Sequence, residues 1–104
     1  MKTRINRYIL EGHEAVPCEN LLTWGRWMED ADRHVALTLQ GDVEVSTVFL
    51  GLDHDFGGEG PKLFESMLFV AGEGRDCVRY QTWEEAKAGH AKLVEQVWKV
   101  RQKV

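Results

Sequence analysis

Titratable side chains crowd at one place in this 104-residue chain, the triplet Asp53-His54-Asp55. A histidine between two carboxylates could act as a general base with a raised pKa. The same side chains could offer nitrogen and oxygen ligands to a metal ion. Against convergence, successive residues of an extended chain point in different directions, and no second ligand cluster stands elsewhere in the sequence. An Asx-type turn, in which an aspartate accepts from nearby backbone amides, accounts for the triplet as well. Gly57-Gly58-Glu59-Gly60 follows it. It lacks the lysine and hydroxyl residue of a phosphate loop, and Pro61, Lys62 and a strand come next rather than a helix. No catalytic, cofactor-binding or metal-binding residue is therefore assigned. Loops at strand ends commonly carry function, so Asp53, His54, Asp55 and Phe56 are expected on the rim of a binding surface. Residues 53–60 are expected to form the most mobile internal segment.

The other histidines offer less. His90 falls on the apolar stripe of a helix, the place of a hydrogen-bonded core histidine. His13 and His34 fall at turns and element ends. The four tryptophans are a stronger signal, because tryptophan is enriched where proteins bind. Trp27 beside Arg26 is a candidate contact pair, while Trp24 and either Trp83 or Trp98 are expected to complete the core.

These residues must be positioned by the surrounding elements. Residues 4–10 read as a strand, Glu11-Gly12-His13 as a turn, and Ala15-Val16 as extended because a residue before proline avoids the helical region. Asn20 is a good N-cap for a helix over residues 21–33, with Leu21, Trp24, Met28 and Ala31 at helical spacing. Gly25 inside it suggests close approach of a neighbouring element. Two strands follow, Val35–Leu39 and Val43–Leu50, around Gly41-Asp42. Burying Leu37 and Leu39 with Val43, Val45, Thr47 and Phe49 requires an odd-length loop or a bulge beside Gly41. Leu63–Ala71 reads as a further strand, residues 72–76 as a turn and Cys77–Gln81 as the returning strand. Thr82-Trp-Glu-Glu85 is a capping box. It opens a helix whose stripe is Ala86, His90, Leu93, Val97 and Val100, with Glu95 and Lys99 set for an ion pair. The order β-α-β-β-β-β-α predicts one α+β domain over residues 1–104: two layers, an antiparallel sheet of four to five strands with both helices on one face. Its expected core layer is Trp24, Met28, Leu93, Val97, Leu37, Val45, Phe49, Met67 and Tyr80.

Composition narrows the partners. A net charge of −4, with 43% hydrophobic and 29% charged residues, is that of an ordinary globular chain. Excess negative charge disfavours nucleic acid and anionic membrane surfaces. No stretch has the length of a transmembrane helix, and no apolar run follows the basic N-terminal residues as a signal peptide requires. A cytoplasmic protein with Cys18 and Cys77 as free thiols is the expectation.

The chain resembles a family of small uncharacterised proteins of tailed bacteriophages and prophages. The resemblance rests on Leu21-Leu22, Trp24 and Trp27, on residues 46–54 (Ser-Thr-Val-Phe-Leu-Gly-Leu-Asp-His), and on Pro61 with Leu63-Phe-Glu-Ser-Met67 and Phe69. Tyr80-Gln-Thr-Trp-Glu-Glu-Ala86 with Gly89-His90 completes it. It implies a phage or prophage gene product acting in the bacterial cytoplasm, and brings no activity or site residues with it. With no catalytic constellation, the expected function is non-covalent binding of a host protein. A small-molecule or nucleotide-signal binder, built from Trp27, Arg26, Lys62 and Arg79, is the first alternative. A His54-dependent hydrolase or metal enzyme is the second. A homodimer is compatible with the size and charge.

Overall fold

A computed structural model describes residues 6–53 and 60–102, side chains being described to Val100. The architecture is α+β, with a two-stranded and a four-stranded antiparallel sheet and two helices. The first strand, β1 (Tyr8–Glu11), turns through Gly12 into β2 (Glu14–Pro17), and these two pair only with each other. The expected strand is therefore a separate hairpin rather than a fifth member of the main sheet. Helix α1 (Leu21–Asp30) follows. The Asn20 side chain accepts from the Thr23 amide at 3.0 Å, as an N-cap should. The helix stops three residues short of the expected end, where Ala31 turns extended and its amide closes on the Trp27 carbonyl at 2.9 Å.

The main sheet is a meander of β3 (His34–Gln40), β4 (Val43–Phe49), β5 (Phe64–Val70) and β6 (Glu73–Tyr80), in that spatial order. Helix α2 (Trp83–Gln102) crosses one face of all four strands. Its start is the expected one: the Glu85 amide donates to the Thr82 hydroxyl at 3.1 Å. Lys99 and Glu95 pair at 2.9 Å.

Strand β4 shows the clearest alternation. Val43, Val45, Thr47 and Phe49 are buried under α2, and the residues between them are only partly covered. Phe49, Leu63, Phe64, Tyr80 and Ala86 form the core cluster, with Val35, Trp27 and Trp83 packed against it.

The register of β3 against β4 corrects the sequence expectation. Gln40 pairs with Val43 across a two-residue turn, Gly41-Asp42, with Gly41 at φ 58°. A glycine with positive φ at the first turn position suits the twist of a tight hairpin. This register puts Leu37 opposite Ser46 and Leu39 opposite Glu44, and leaves both leucines exposed, at 53% and 64%. The irregularity falls at the other end of β3, between His34 and Ala36, so that Val35 still reaches the core. Two further expectations shift. Met67 pairs with Ser46 and so lies on the face away from α2. The β5–β6 turn is Ala71-Gly72, both at positive φ, so β6 begins four residues before Cys77 and leaves Arg75 as the extra residue of a bulge.

Close approach of a neighbour occurs at a different glycine from the one expected. A side-chain carbon at Gly25 would meet nothing within 4 Å, whereas at Gly89 it would fall on the ring of Tyr80.

Candidate functional site

The sequence-predicted residues do not form a single site. Asp53 is buried, and its amide donates to the Asn6 carbonyl at 2.9 Å, so it belongs to the packing and not to an exposed rim. The reason is an extension of β4: Leu52 bridges Arg7, which draws the chain after the strand under the N-terminal segment. His54, Asp55 and Phe56 lie outside the described residues. Trp27 is turned inward, its ring edge-on to Phe49 with centroids 5.6 Å apart, while Arg26 is exposed. The pair therefore presents no common surface. Trp24 is also a packing residue: its indole N–H donates to the Tyr8 and Gly51 carbonyls, 3.1 Å each, clasping α1 to β1 and to the exit of β4. Gly51, at φ 76°, gives room for Met28 there; a side-chain carbon would come 2.6 Å from the Met28 sulfur.

Beneath α2 lies a buried polar chain that sequence reasoning missed apart from the histidine. His90 Nε2 bonds the Thr38 hydroxyl at 2.8 Å and Nδ1 bonds the Thr47 hydroxyl at 2.7 Å. Thr47 in turn bonds Ser66. A neutral imidazole has one donor and one acceptor, so one threonine donates to the ring and the other accepts from it. Burial pushes the His90 pKa below its ordinary value. Thr47 and Ser66 are fully buried, and the series satisfies polar groups in the core. Knowing the strand register was necessary to find it, since Thr38, Thr47 and Ser66 meet only across three paired strands.

Two surface features remain. The first is a cleft of about 540 Å³ between the β1–β2 hairpin and the start of α2. His13 stacks flat on Trp83 there, centroids 3.9 Å apart, and Glu11, Glu14 and Glu84 line it. An aromatic wall with carboxylates repels phosphate and does not bring together Arg26, Lys62 and Arg79.

The second is the face of the main sheet opposite α2. Helix α2 packs on the other side of the sheet, and α1 comes up to this face at its His34–Val48 end, where Met28 and Glu29 line a recess with those two residues. The register sets its side chains in three rows across β3–β4–β5–β6: Leu39, Glu44, Phe69 and Gly74; Leu37, Ser46, Met67 and Cys77; His34, Val48, Glu65 and Arg79. The middle of this grid is apolar or neutral. Charge sits at its ends, where Arg79 donates to Glu65 at 3.0 Å and His34 pairs with Asp32 at 3.1 Å. The His34 backbone amide is the main cause holding the Asp32 carboxyl below its ordinary pKa. Partial burial, then the Glu65 carboxylate, pushes the Cys77 thiol up, which is the wrong direction for a nucleophile. Both cysteines are free.

No protein-family model matches the chain, and no curated protein or solved structure is similar to it. Among the described residues no group of three His, Cys, Asp or Glu side chains could hold a metal ion, and no helix is long and apolar enough to cross a membrane.

Proposed function

We propose that this chain is a non-enzymatic binding protein that engages another protein through the face of its main sheet opposite α2. The observation that carries the proposal is the exposure of Leu37 and Leu39 on one edge of a grid that also holds Val48, Met67 and Phe69. Single exposed leucines are ordinary, but several apolar side chains gathered on one sheet face are what protein interfaces present. Antiparallel sheets often leave one face in water, and that face is then usually polar. Here it is not. Together with the phage-like resemblance, this supports an accessory protein that binds a bacterial host protein in the cytoplasm.

The two alternatives have less behind them. The acidic lining of the cleft beside Trp83 suits no anionic nucleotide, and the enzyme reading rests on His54 alone. The test is photo-crosslinking in bacterial cells, with a photoreactive residue placed at Leu37, at Leu39 or, as control, at Lys92 on the exposed side of α2. A discrete adduct is expected from the two sheet positions and not from Lys92. Equal adducts from all three positions, or adducts from Lys92 alone, would overturn the proposal.

A further inference from the structure

The sheet face is not uniformly apolar, and one of its charged residues points to the chemistry of the partner. Glu44 stands in the first row, between Leu39 and Phe69, with no cation paired to it among the described residues. The face's own cation, Arg79, is already held by Glu65. Beside Glu44, the turns of the two hairpins enclose a notch of about 360 Å³ whose walls include Leu39, Phe69, Asp42 and Glu44. An apolar entrance with the Glu44 carboxylate at hand matches a lysine or arginine side chain, which carries a hydrocarbon stem behind its charge.

We infer that the partner is a basic amphipathic segment. Its apolar side chains lie on Leu37, Leu39, Met67 and Phe69, and one lysine or arginine enters the notch to meet Glu44. The inference rests on the proposed use of this face and adds the class of ligand. A second copy of the chain fits less well. With a two-fold axis across the strands and centred on the patch, Glu44 comes down on Val48 of the other copy. With the axis along the strands it comes down on Phe69. Either arrangement buries an unpaired carboxylate in each copy, which is costly. A cationic segment removes that cost, and the overall charge of −4 attracts it from a distance.

The experiment uses the intact protein and two synthetic helical peptides of about 18 residues with the same leucine stripe, one with lysine and one with glutamate at the polar positions. Amide shifts in a two-dimensional NMR titration report where each binds. The lysine peptide is expected to move the amides of residues 37–39, 44 and 67–69, and the glutamate peptide to leave them unmoved. Glu44→Lys should weaken the lysine peptide at least tenfold, and Glu44→Gln severalfold. The same exchange at Glu84, in the other cleft, should have little effect. Leu39→Ser should weaken binding while the far-UV spectrum and melting temperature stay close to wild type. If both peptides bind the sheet face equally and Glu44→Lys changes nothing, the cationic partner is wrong while the use of the face survives. If neither peptide moves these amides, or the face is protected in a dimer detected by sedimentation, both proposals fail. Shifts confined to the Glu11–Trp83 cleft would relocate the site and overturn this one.

Discussion

Two glycines in two helices make a paired test of how this core is packed. Gly25 in α1 and Gly89 in α2 are chemically identical positions by propensity, and each should gain about 1 kcal/mol on replacement by alanine if nothing else intervenes. At Gly25 nothing does: a side-chain carbon there meets no atom within 4 Å. Gly25→Ala is therefore expected to stabilise by about 0.5–1 kcal/mol. At Gly89 the same carbon would land on the Cε1, Cζ and hydroxyl atoms of Tyr80. That ring is only 9% exposed and belongs to the cluster with Phe49, Leu63, Phe64 and Ala86. It cannot swing away without displacing close-packed neighbours. Overpacking of this kind costs about 1–3 kcal/mol and occasionally more. With so direct an overlap the upper part of that range applies, which outweighs the propensity gain. Gly89→Ala should destabilise by about 1–2 kcal/mol net, so the two substitutions should differ by about 1.5–3 kcal/mol. Urea unfolding followed by tryptophan fluorescence gives both values. Each kcal/mol corresponds to roughly 4–8 °C in melting temperature for a domain near this size. Tyr80→Leu shortens the side chain at the point of collision, so the double variant should recover part of the loss, a coupling of about 0.5–3 kcal/mol. Equal or greater stability of Gly89→Ala relative to wild type would show that α2 does not sit on Tyr80 as described.

Leu93→Ala, which empties a buried site under α2, should cost about 2–5 kcal/mol by urea unfolding; a loss below about 0.5 kcal/mol would place that side chain at the surface. Thr82→Ala removes the acceptor for the Glu85 amide and should cost about 1 kcal/mol, whereas Thr82→Ser should cost little. Ala71 is a non-glycine residue at φ 52°, so Ala71→Asn, better suited to that conformation, should raise the melting temperature by an amount corresponding to up to about 1 kcal/mol. His90 has its pKa depressed by burial from the ordinary 6.5, so between those two values the unfolded chain binds more protons than the folded one and stability rises with pH. Stability should accordingly decline as pH falls below about 6.5 and continue to decline until the depressed value is reached, and this slope should be missing from the pH-stability curve of His90→Gln.

Periodicity within one element was enough to identify most elements. The cap at Asn20, the box at Thr82 and the stripe of Ala86, His90 and Leu93 depend on residues a few positions apart, and the structure has them where local rules place them. The turns were harder. The β5–β6 turn was assigned to residues 72–76 because glycines cluster there. The chain instead turns at Ala71-Gly72, pairs Gly74 with Phe69 and leaves Arg75 as the extra residue of a bulge, a choice fixed by pairing across β5 and β6. The polar chain from His90 to Ser66 was illegible for the same reason, since its members are 43 and 19 positions apart at the two Thr47 bonds. Trp27 illustrates a different limit. Its neighbour Arg26 suggested a surface pair, but on a helix adjacent residues point about 100° apart, and the one that packs on Phe49 cannot also serve the surface.

The decisive misreading concerns Leu37 and Leu39, and its cause bears on function. The expectation assumed that leucines in a strand face the core, and a bulge beside Gly41 was invoked to bring them there. A strand register shifts in steps that turn every side chain to the opposite face. The tight Gly41-Asp42 turn fixes the step that sends Leu37 and Leu39 outward, while the irregularity after His34 restores Val35 to the core. A sequence selected only for folding would place polar residues at positions 37 and 39, because exposed leucine there contributes nothing to the core and invites aggregation. On the same face of the next strand the chain does carry Glu44 and Ser46. The leucines opposite them, with Met67 and Phe69 on the same face, depart from the pattern that Glu44 and Ser46 keep, and such departures gather where a protein is used rather than where it is merely held together. That is why the proposed binding use is placed on this sheet face, where mutations should separate binding from stability.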